Sequence, residues 1–366
     1  MRAQNCLVNI SNQSKIYIVS PFIQTGGPHS LHQLVHLLKE YGCDAAIKYF
    51  PEPIGKRYSE SLYPQYDISV AEKIEDTQDN IIIVSETCTE LLKKFSHIQK
   101  CVWWLSLDFH FFEYIYPGSK ISLRNRQWTS WLLPFMMGYK LLSKVYKREP
   151  LVLIGNQDFS RAVNLYNCEY VHRYLQEHNV PNEKMHYLCG PLEKIYMADD
   201  RNDILVGKQN TIIYSPKKMD KRFFQKVKEA IEARDKKIKF IPIRNMNREQ
   251  VFSTERRAKL YLDFGFFPGP ERIPREAVSL YCNIITSDIG AAKNGKDVCI
   301  PDRYKFELKD ENVEIIANLA VNMVHNYEDY IGDFELYRDK VKEQIERFDG
   351  DIREIFGLKN IQKVIS

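Results

Sequence analysis

The chain has 366 residues, more than one hydrophobic core usually supports, so we expect two domains. Its 52 lysines and arginines against 48 aspartates and glutamates give a net charge of +4 spread along the chain, which argues against a dedicated nucleic-acid-binding protein. Eight scattered cysteines without zinc-ligand spacing favour reduced thiols in a cytoplasmic protein. Neither a signal peptide nor an apolar run of membrane-spanning length is predicted.

The first half of the chain alternates short apolar runs with helical patterns. Predicted strands cover 15–21, 43–50, 80–86, 100–108 and 150–156, and predicted helices cover 30–42, 86–95 and 160–177. Strands that alternate with helices imply right-handed crossovers and a parallel sheet covered on both faces. We therefore predict a Rossmann-like domain over residues 1–200.

A second series of strands and helices begins after the polar stretch 197–210. It continues through the strand-like runs KIKFIPI, KLYLDFGFF and NIITSDI and becomes almost entirely helical from Asn312 onward. This composition shift predicts a second Rossmann-like domain over 201–366, with helices at its C-terminus. The acidic run DDRND (199–203) lies in the polar stretch and not at a strand end, so no metal site is predicted.

Ligands of open parallel sheets bind beyond the carboxyl ends of the strands, so candidate residues should follow the strands. After the first strand, TGGPHS places Gly26 and Gly27 before a helix N-terminus, where backbone N–H groups can bind an anion. The alternative is a plain turn with Ser30 as the N-cap. His32, on the helix that follows, could simply point into solvent.

The strand-like run VWWLSLD ends at Asp108, and His110 lies two residues beyond. A carboxylate at this place could act as a general base on an acceptor hydroxyl or stabilise an oxocarbenium-like centre. A helix cap or a loop ion pair is the alternative.

Two strand ends of the second half carry charged residues. YSPKK (214–218) places Ser215, Lys217 and Lys218 where lysines could neutralise a diphosphate, although a solvated surface pair is the ordinary alternative. In PGPERIPREA (268–277), Pro274 near a helix start would leave Glu276 in the first turn, where its carboxylate could accept hydrogen bonds from a ribose. Capping and intramolecular ion pairing are the alternative there.

Taken together, TGGPHSLHQL, VWWLSLD, YSPKK and DFGFFPGPERIPREA resemble bacterial GT-B glycosyltransferases of surface-polysaccharide biosynthesis (capsule, O-antigen or exopolysaccharide). The resemblance covers nearly the whole chain. It implies an α/β GT-B fold: two Rossmann-like domains with parallel sheets facing an interdomain cleft, and a helical C-terminus. It also implies a metal-independent enzyme without a cofactor, which transfers a sugar from a nucleotide-sugar donor to a glycan or lipid-linked acceptor.

The resemblance assigns roles to single residues. Glu276 matches the glutamate that binds the donor ribose, and Glu271 is the candidate for the one beside the donor sugar. Four residues separate them where the family pattern has seven, which leaves a retaining or an inverting reaction open. The predicted catalytic residues are Asp108, Glu271 and His110, and the predicted donor-binding residues are Gly26, Gly27, Ser215, Lys217, Lys218, Arg272, Arg275 and Glu276.

Residues 114–148 carry lysines and arginines interleaved with apolar side chains, and no acid. Residues 120–148 could contact an anionic membrane surface, which would suit a cytoplasmic enzyme peripheral to the inner face of the cell membrane. A pair of core helices with a basic polar face is the alternative. Two other classes also remain open: a nucleotide-sugar epimerase of the same fold, and a non-catalytic scaffold subunit of a polysaccharide assembly complex.

Overall fold

The computed structural model describes residues 7–52, 58–114, 161–197, 200–217 and 219–364. These residues form two compact units. The first unit contains the described residues up to position 191 together with 345–364, and the second contains those from 192 to 344.

The first unit is built on a parallel sheet of seven strands in the described residues, in the order β3-β2-β1-β4-β5-β6-β7. Its strands are β1 (Lys15–Ser20), β2 (Asp44–Tyr49), β3 (Ser69–Val70), β4 (Ile81–Ser85), β5 (Gln99–Trp104), β6 (Val163–Tyr166) and β7 (Met185–Tyr187), and its helices include α1 (Gly26–Glu40), α2 (Leu107–Tyr114) and α3 (Glu169–Glu177). The strand order reverses between β1 and β4, so a crevice opens at their carboxyl ends.

The second unit contains a parallel sheet in the order β12-β11-β10-β8-β9, which reverses between β8 and β10. Its strands are β8 (Gln209–Tyr214), β9 (Lys239–Pro242), β10 (Ala258–Asp263), β11 (Asn283–Ser287) and β12 (Lys305–Phe306). The helices from here to the C-terminus are α4 (Arg201–Val206), α5 (Lys221–Arg234), α6 (Arg248–Arg257), α7 (Arg272–Ser279), α8 (Val313–His325), α9 (Tyr327–Ile331) and α10 (Glu335–Ile355).

The end of α10 belongs to the core of the first unit, which corrects the prediction that all of 201–366 forms the second domain. Phe348 and Ile352 are at most 3% exposed and lie in one apolar cluster with Trp103 of β5. The rings of Phe348 and Trp103 stack with centroids 6.2 Å apart. The backbone N–H of Leu7 also donates to Ile355 O. The apolar pattern predicts the helix correctly, but it does not say which core the helix covers.

The segment 160–177, predicted as one helix, instead contains β6 followed by α3. Because β6 lies between β5 and β7, Val163 and Leu165 are buried in the sheet. Asn164 is buried as well, and its Oδ1 accepts a hydrogen bond from Trp104 Nε1 at 3.0 Å. The strand predicted at 150–156 lies outside the described residues, as do residues 115–148 of the basic apolar segment. Within the described chain, no helix is long and apolar enough to cross a membrane.

Candidate functional site

The start of α7 lies at the carboxyl end of β10, beside the reversal of strand order in the second sheet. Glu271 occupies its N-cap position, and its own side chain makes no capping hydrogen bond to this helix start. The start of α5, which follows β8, differs: Asp220 Oδ1 accepts from the N–H groups of Arg222 and Phe223 at 3.1 and 3.0 Å. The positive end of the α7 dipole is therefore better suited than that of α5 to receive an anionic ligand.

Arg272 and Glu276 form a nearly buried ion pair on α7. Arg272 Nε and Nη2 donate to Glu276 Oε1 at 3.0 and 2.9 Å, and the two side chains are 16% and 6% exposed. Because α7 begins at Arg272, Glu276 lies in its second turn and not in the first, which corrects the predicted placement. Arg275 points elsewhere, with Nε 3.4 Å from Glu271 O. The intramolecular ion pair, which is the alternative to ligand binding, is thus present. Ribose binding by Glu276 stays a prediction.

A group of buried ionisable residues lies next to this ion pair. Burial, and then the neighbouring Glu276 carboxylate, raise the pKa of Glu255 well above its ordinary value. Burial and the same carboxylate also raise the pKa of Tyr196. Lys208 Nζ is held by the carbonyl oxygens of Ala258 and Leu280, each at 2.6 Å. Both causes of the raised pKa favour the neutral form of Glu255. The sequence pattern missed it because it lies within α6 and not after a strand.

The loops after β10 and β11 pack against each other beside the α7 start. Asp263, at the end of β10, accepts from the N–H of Gly265 at 3.0 Å and from the Tyr261 hydroxyl at 2.6 Å. The N–H of Ala291 donates to Phe267 O at 2.8 Å. Gly290 has a φ of +59°, and a Cβ there would lie 2.2 Å from Phe267 O. Only glycine permits this close approach of the two loops.

The YSPKK loop lies at the same edge of the sheet, because β8 pairs directly with β10. Ser215 is buried there and Lys217 is exposed, whereas Lys218 lies outside the described residues. Downstream in this loop, the N–H of Asp220 donates to Phe264 O at 3.0 Å. The structure therefore brings Ser215 and Lys217 to the edge that carries α7.

In the first unit, Gly26 and Gly27 form the first turn of α1 and do not precede the helix as predicted. The N-cap is Thr25, and Ser30 lies inside the helix with Oγ donating to Gly26 O at 3.3 Å, so the alternative of a Ser30 cap is wrong. A Cβ at Gly27 would lie 3.5 Å from Leu105 Cδ1. The α1 start therefore adjoins the segment that follows β5.

Asp108 and His110 lie on α2, just beyond β5. Asp108 is 7% exposed, and burial followed by the Asp108 charge raises the pKa of Tyr170. His110 is fully buried, with Nδ1 3.2 Å from Glu86 O and its ring edge-on to Trp104. Asp108 is the more accessible of the two, and a catalytic role for either stays a prediction.

His32 is buried, which corrects the expectation that it points into solvent. Its Nε2 lies 2.9 Å from the Tyr49 hydroxyl and its Nδ1 2.6 Å from Pro28 O. Burial lowers the pKa of His32 to about 4, so it is neutral at physiological pH. As for metals, the described residues include no group of three His, Cys, Asp or Glu side chains that could hold an ion.

Comparison with known proteins identifies the fold. No protein-family model matches the chain, and no curated protein sequence does. Among solved structures, Anabaena HepE in complex with UDP is 10% identical, with a TM-score of 0.57 and coverage of 93% of this chain and 98% of that one. Sucrose-phosphate synthase from Thermosynechococcus elongatus is 9% identical, with a TM-score of 0.58 and coverage of 92% and 96%. WaaG, a glycosyltransferase involved in lipopolysaccharide biosynthesis, is 10% identical, with a TM-score of 0.53 and coverage of 92% and 99%. The fold is that of GT-B glycosyltransferases, as predicted.

We predict that Gly290→Ala destabilises the protein by about 1 to 3 kcal/mol through its left-handed φ alone, with a further loss from the clash with Phe267 O. The matched control is Gly295→Ala in the same loop, where a Cβ would meet nothing within 4 Å, and its effect should stay within about 0.5 kcal/mol. Urea denaturation measures both free energies of unfolding. Equal effects of the two substitutions would contradict the close packing of the loops.

A second prediction concerns pH. Because the folded-state pKa of Glu255 is raised, the folded chain keeps a proton that the unfolded chain loses above about pH 4.5, so this group's contribution to stability falls as pH rises. Glu255→Gln removes the titration, and its stability relative to the unsubstituted protein should increase between pH 5 and pH 8. Urea denaturation at both pH values measures the difference. A difference that does not change with pH would show that Glu255 is ionised.

Proposed function

We propose that the protein is a glycosyltransferase that moves a sugar from a nucleotide-sugar donor to a glycan or lipid-linked acceptor in surface-polysaccharide assembly. The observation that carries the proposal is the carboxyl edge of the second sheet, where the α7 start, the Arg272–Glu276 pair and Lys217 follow two neighbouring parallel strands. This edge offers an anion site beside a carboxylate, which are the two features that a ribose linked to a diphosphate requires. UDP is the first nucleotide to test, because HepE was solved in complex with it.

In this proposal each group at the edge has a chemical task. The α7 N-terminus and Lys217 bind the diphosphate and stabilise its charge as it leaves, without a metal ion or a cofactor. Arg272 fixes the Glu276 carboxylate, which accepts hydrogen bonds from the ribose hydroxyls. Glu271 remains the candidate group beside the donor sugar, and Ser215 and Arg275 remain donor-binding candidates.

The acceptor is proposed to bind the first unit, near Gly26 and Gly27 at the start of α1. Asp108 would take the proton of an acceptor hydroxyl as that oxygen bonds to the anomeric carbon and the bond from that carbon to the diphosphate breaks. WaaG offers a structural precedent in lipopolysaccharide biosynthesis. The lysines and arginines of 120–148 would contact an anionic membrane surface.

We predict that UDP or a UDP-sugar raises the thermal stability of the protein, since a ligand at about 100 times its Kd adds roughly 2.7 kcal/mol. Lys217→Ala should weaken nucleotide binding about five-fold, because it removes an exposed charge-assisted contact worth about 1 kcal/mol. Lys236→Ala is the control. Lys236 is also exposed, but it precedes β9 and so lies at the amino ends of the strands, away from the proposed site. Isothermal calorimetry measures the Kd of all three proteins.

Two results would contradict the proposal. If no UDP, GDP, dTDP or CMP compound changes the thermal stability, a non-catalytic scaffold subunit becomes the better account. If a donor sugar is converted to its epimer with no acceptor present, the protein is an epimerase.

A further inference from the structure

Two side-chain hydrogen bonds, here called the clamp, hold the backbone N–H and carbonyl groups of Leu105. Its N–H donates to Glu86 Oε2 at 2.9 Å, and its carbonyl oxygen accepts from Asn167 Nδ2 at 2.8 Å. Glu86 directly follows β4 and Asn167 directly follows β6, the two strands that flank β5. The ends of three neighbouring strands are therefore joined at one residue.

The clamp lies in the interior of the first unit. Glu86 and Asn167 are 3% and 6% exposed. The hydrogen bond from the Leu105 N–H to Glu86 Oε2 is therefore shielded from water, which strengthens it relative to an exposed one. Breaking such a bond leaves a buried polar group unsatisfied, which disfavours any tilt of this peptide.

The clamp extends to both neighbouring helices. The Glu86 carbonyl oxygen lies 3.2 Å from His110 Nδ1 on α2, so Glu86 holds the segment after β5 through its side chain and through its backbone. On the other side, Gly27 of α1 packs beside the Leu105 side chain. Asp108 lies between the two points that Glu86 holds, three residues after Leu105 and two before His110.

We propose that Glu86 and Asn167 are positioning residues that hold the Asp108 carboxylate in place for the transfer step. The inference rests on the proposed function and adds two residues to it. Neither residue needs to touch a substrate in this role, because each acts through the Leu105 peptide. Glu86 is required as a hydrogen-bond acceptor and not as a base, so a glutamine should replace it. Asn167 is required as a donor.

The test compares Glu86→Ala, Glu86→Gln and Asn167→Ala with the unsubstituted protein in a transfer assay. A displacement of about 1 Å at a catalytic group costs up to roughly 100-fold in rate, so we expect kcat to fall about 10- to 100-fold in both alanine variants. Glu86→Gln should stay within about three-fold. The donor KM and the Kd of UDP should not change in any variant, because the nucleotide groups lie in the second unit.

Near-UV circular dichroism of the buried Trp103 and Trp104 shows whether the first unit of each variant is folded. If an alanine variant does not fold, the milder Asn167→Ser gives the same comparison. Glu86→Gln as inactive as Glu86→Ala would overturn the positioning role, since Glu86 would then itself act on the substrate. Full kcat in the alanine variants would also overturn it. If the unsubstituted protein transfers no sugar, the proposed function fails and this inference fails with it. If the unsubstituted protein is active and the variants behave as just described, only this inference fails.

Discussion

Parallel strand pairing is the constraint on which the other features of this protein depend. Every pair of neighbouring strands in both described sheets is parallel, so each crossover returns the chain to the same edge, and the carboxyl ends collect there. The strand order reverses once in each sheet, between β1 and β4 and between β8 and β10. All the site residues discussed above, apart from the buried group around Glu255, follow strands near these reversals. The strand topology therefore determines where these site residues lie in each unit.

Charge at these edges requires compensation, because a buried ion loses its hydration. Arg272 and Glu276 compensate each other on one helix face, at the i,i+4 spacing at which side chains meet. Away from these edges, Lys208 is held by carbonyl oxygens, and burial raises the pKa of Glu255, which favours its neutral form. In the first unit the Glu86 carboxylate receives a backbone N–H. The polar groups are therefore fixed in direction by their partners, as the proposed electrostatic stabilisation of a leaving diphosphate requires.

Local sequence patterns predict the fold class and the starts of most strands, but they place the end of β5 at Asp108 where the strand ends at Trp104, and they fail where tertiary contacts decide. Strands such as β1 and β4 were predicted to within one residue of each bound, because continuous apolar runs between turns are typical of buried parallel strands. The pattern misses the short strand β6, and it does not show that the end of α10 packs in the core of the first unit. At the site, PGPERIPREA was recognisable from its prolines and charges. The clamp was not, because Asn167 and Leu105 are 62 residues apart in sequence. The pairing of Arg272 with Glu276 was foreseen only as the alternative to ligand binding.

We propose that a nucleotide sugar binds at the carboxyl edge of the second sheet. Hydrogen exchange measured by mass spectrometry, with and without saturating UDP-sugar, would locate the ligand on the chain. We expect slower exchange of backbone amides in 215–217, 265–276 and 288–292, with 239–242 of the neighbouring β9 unchanged. Binding that leaves the first three segments unchanged, or protects only residues of the first unit, would contradict it.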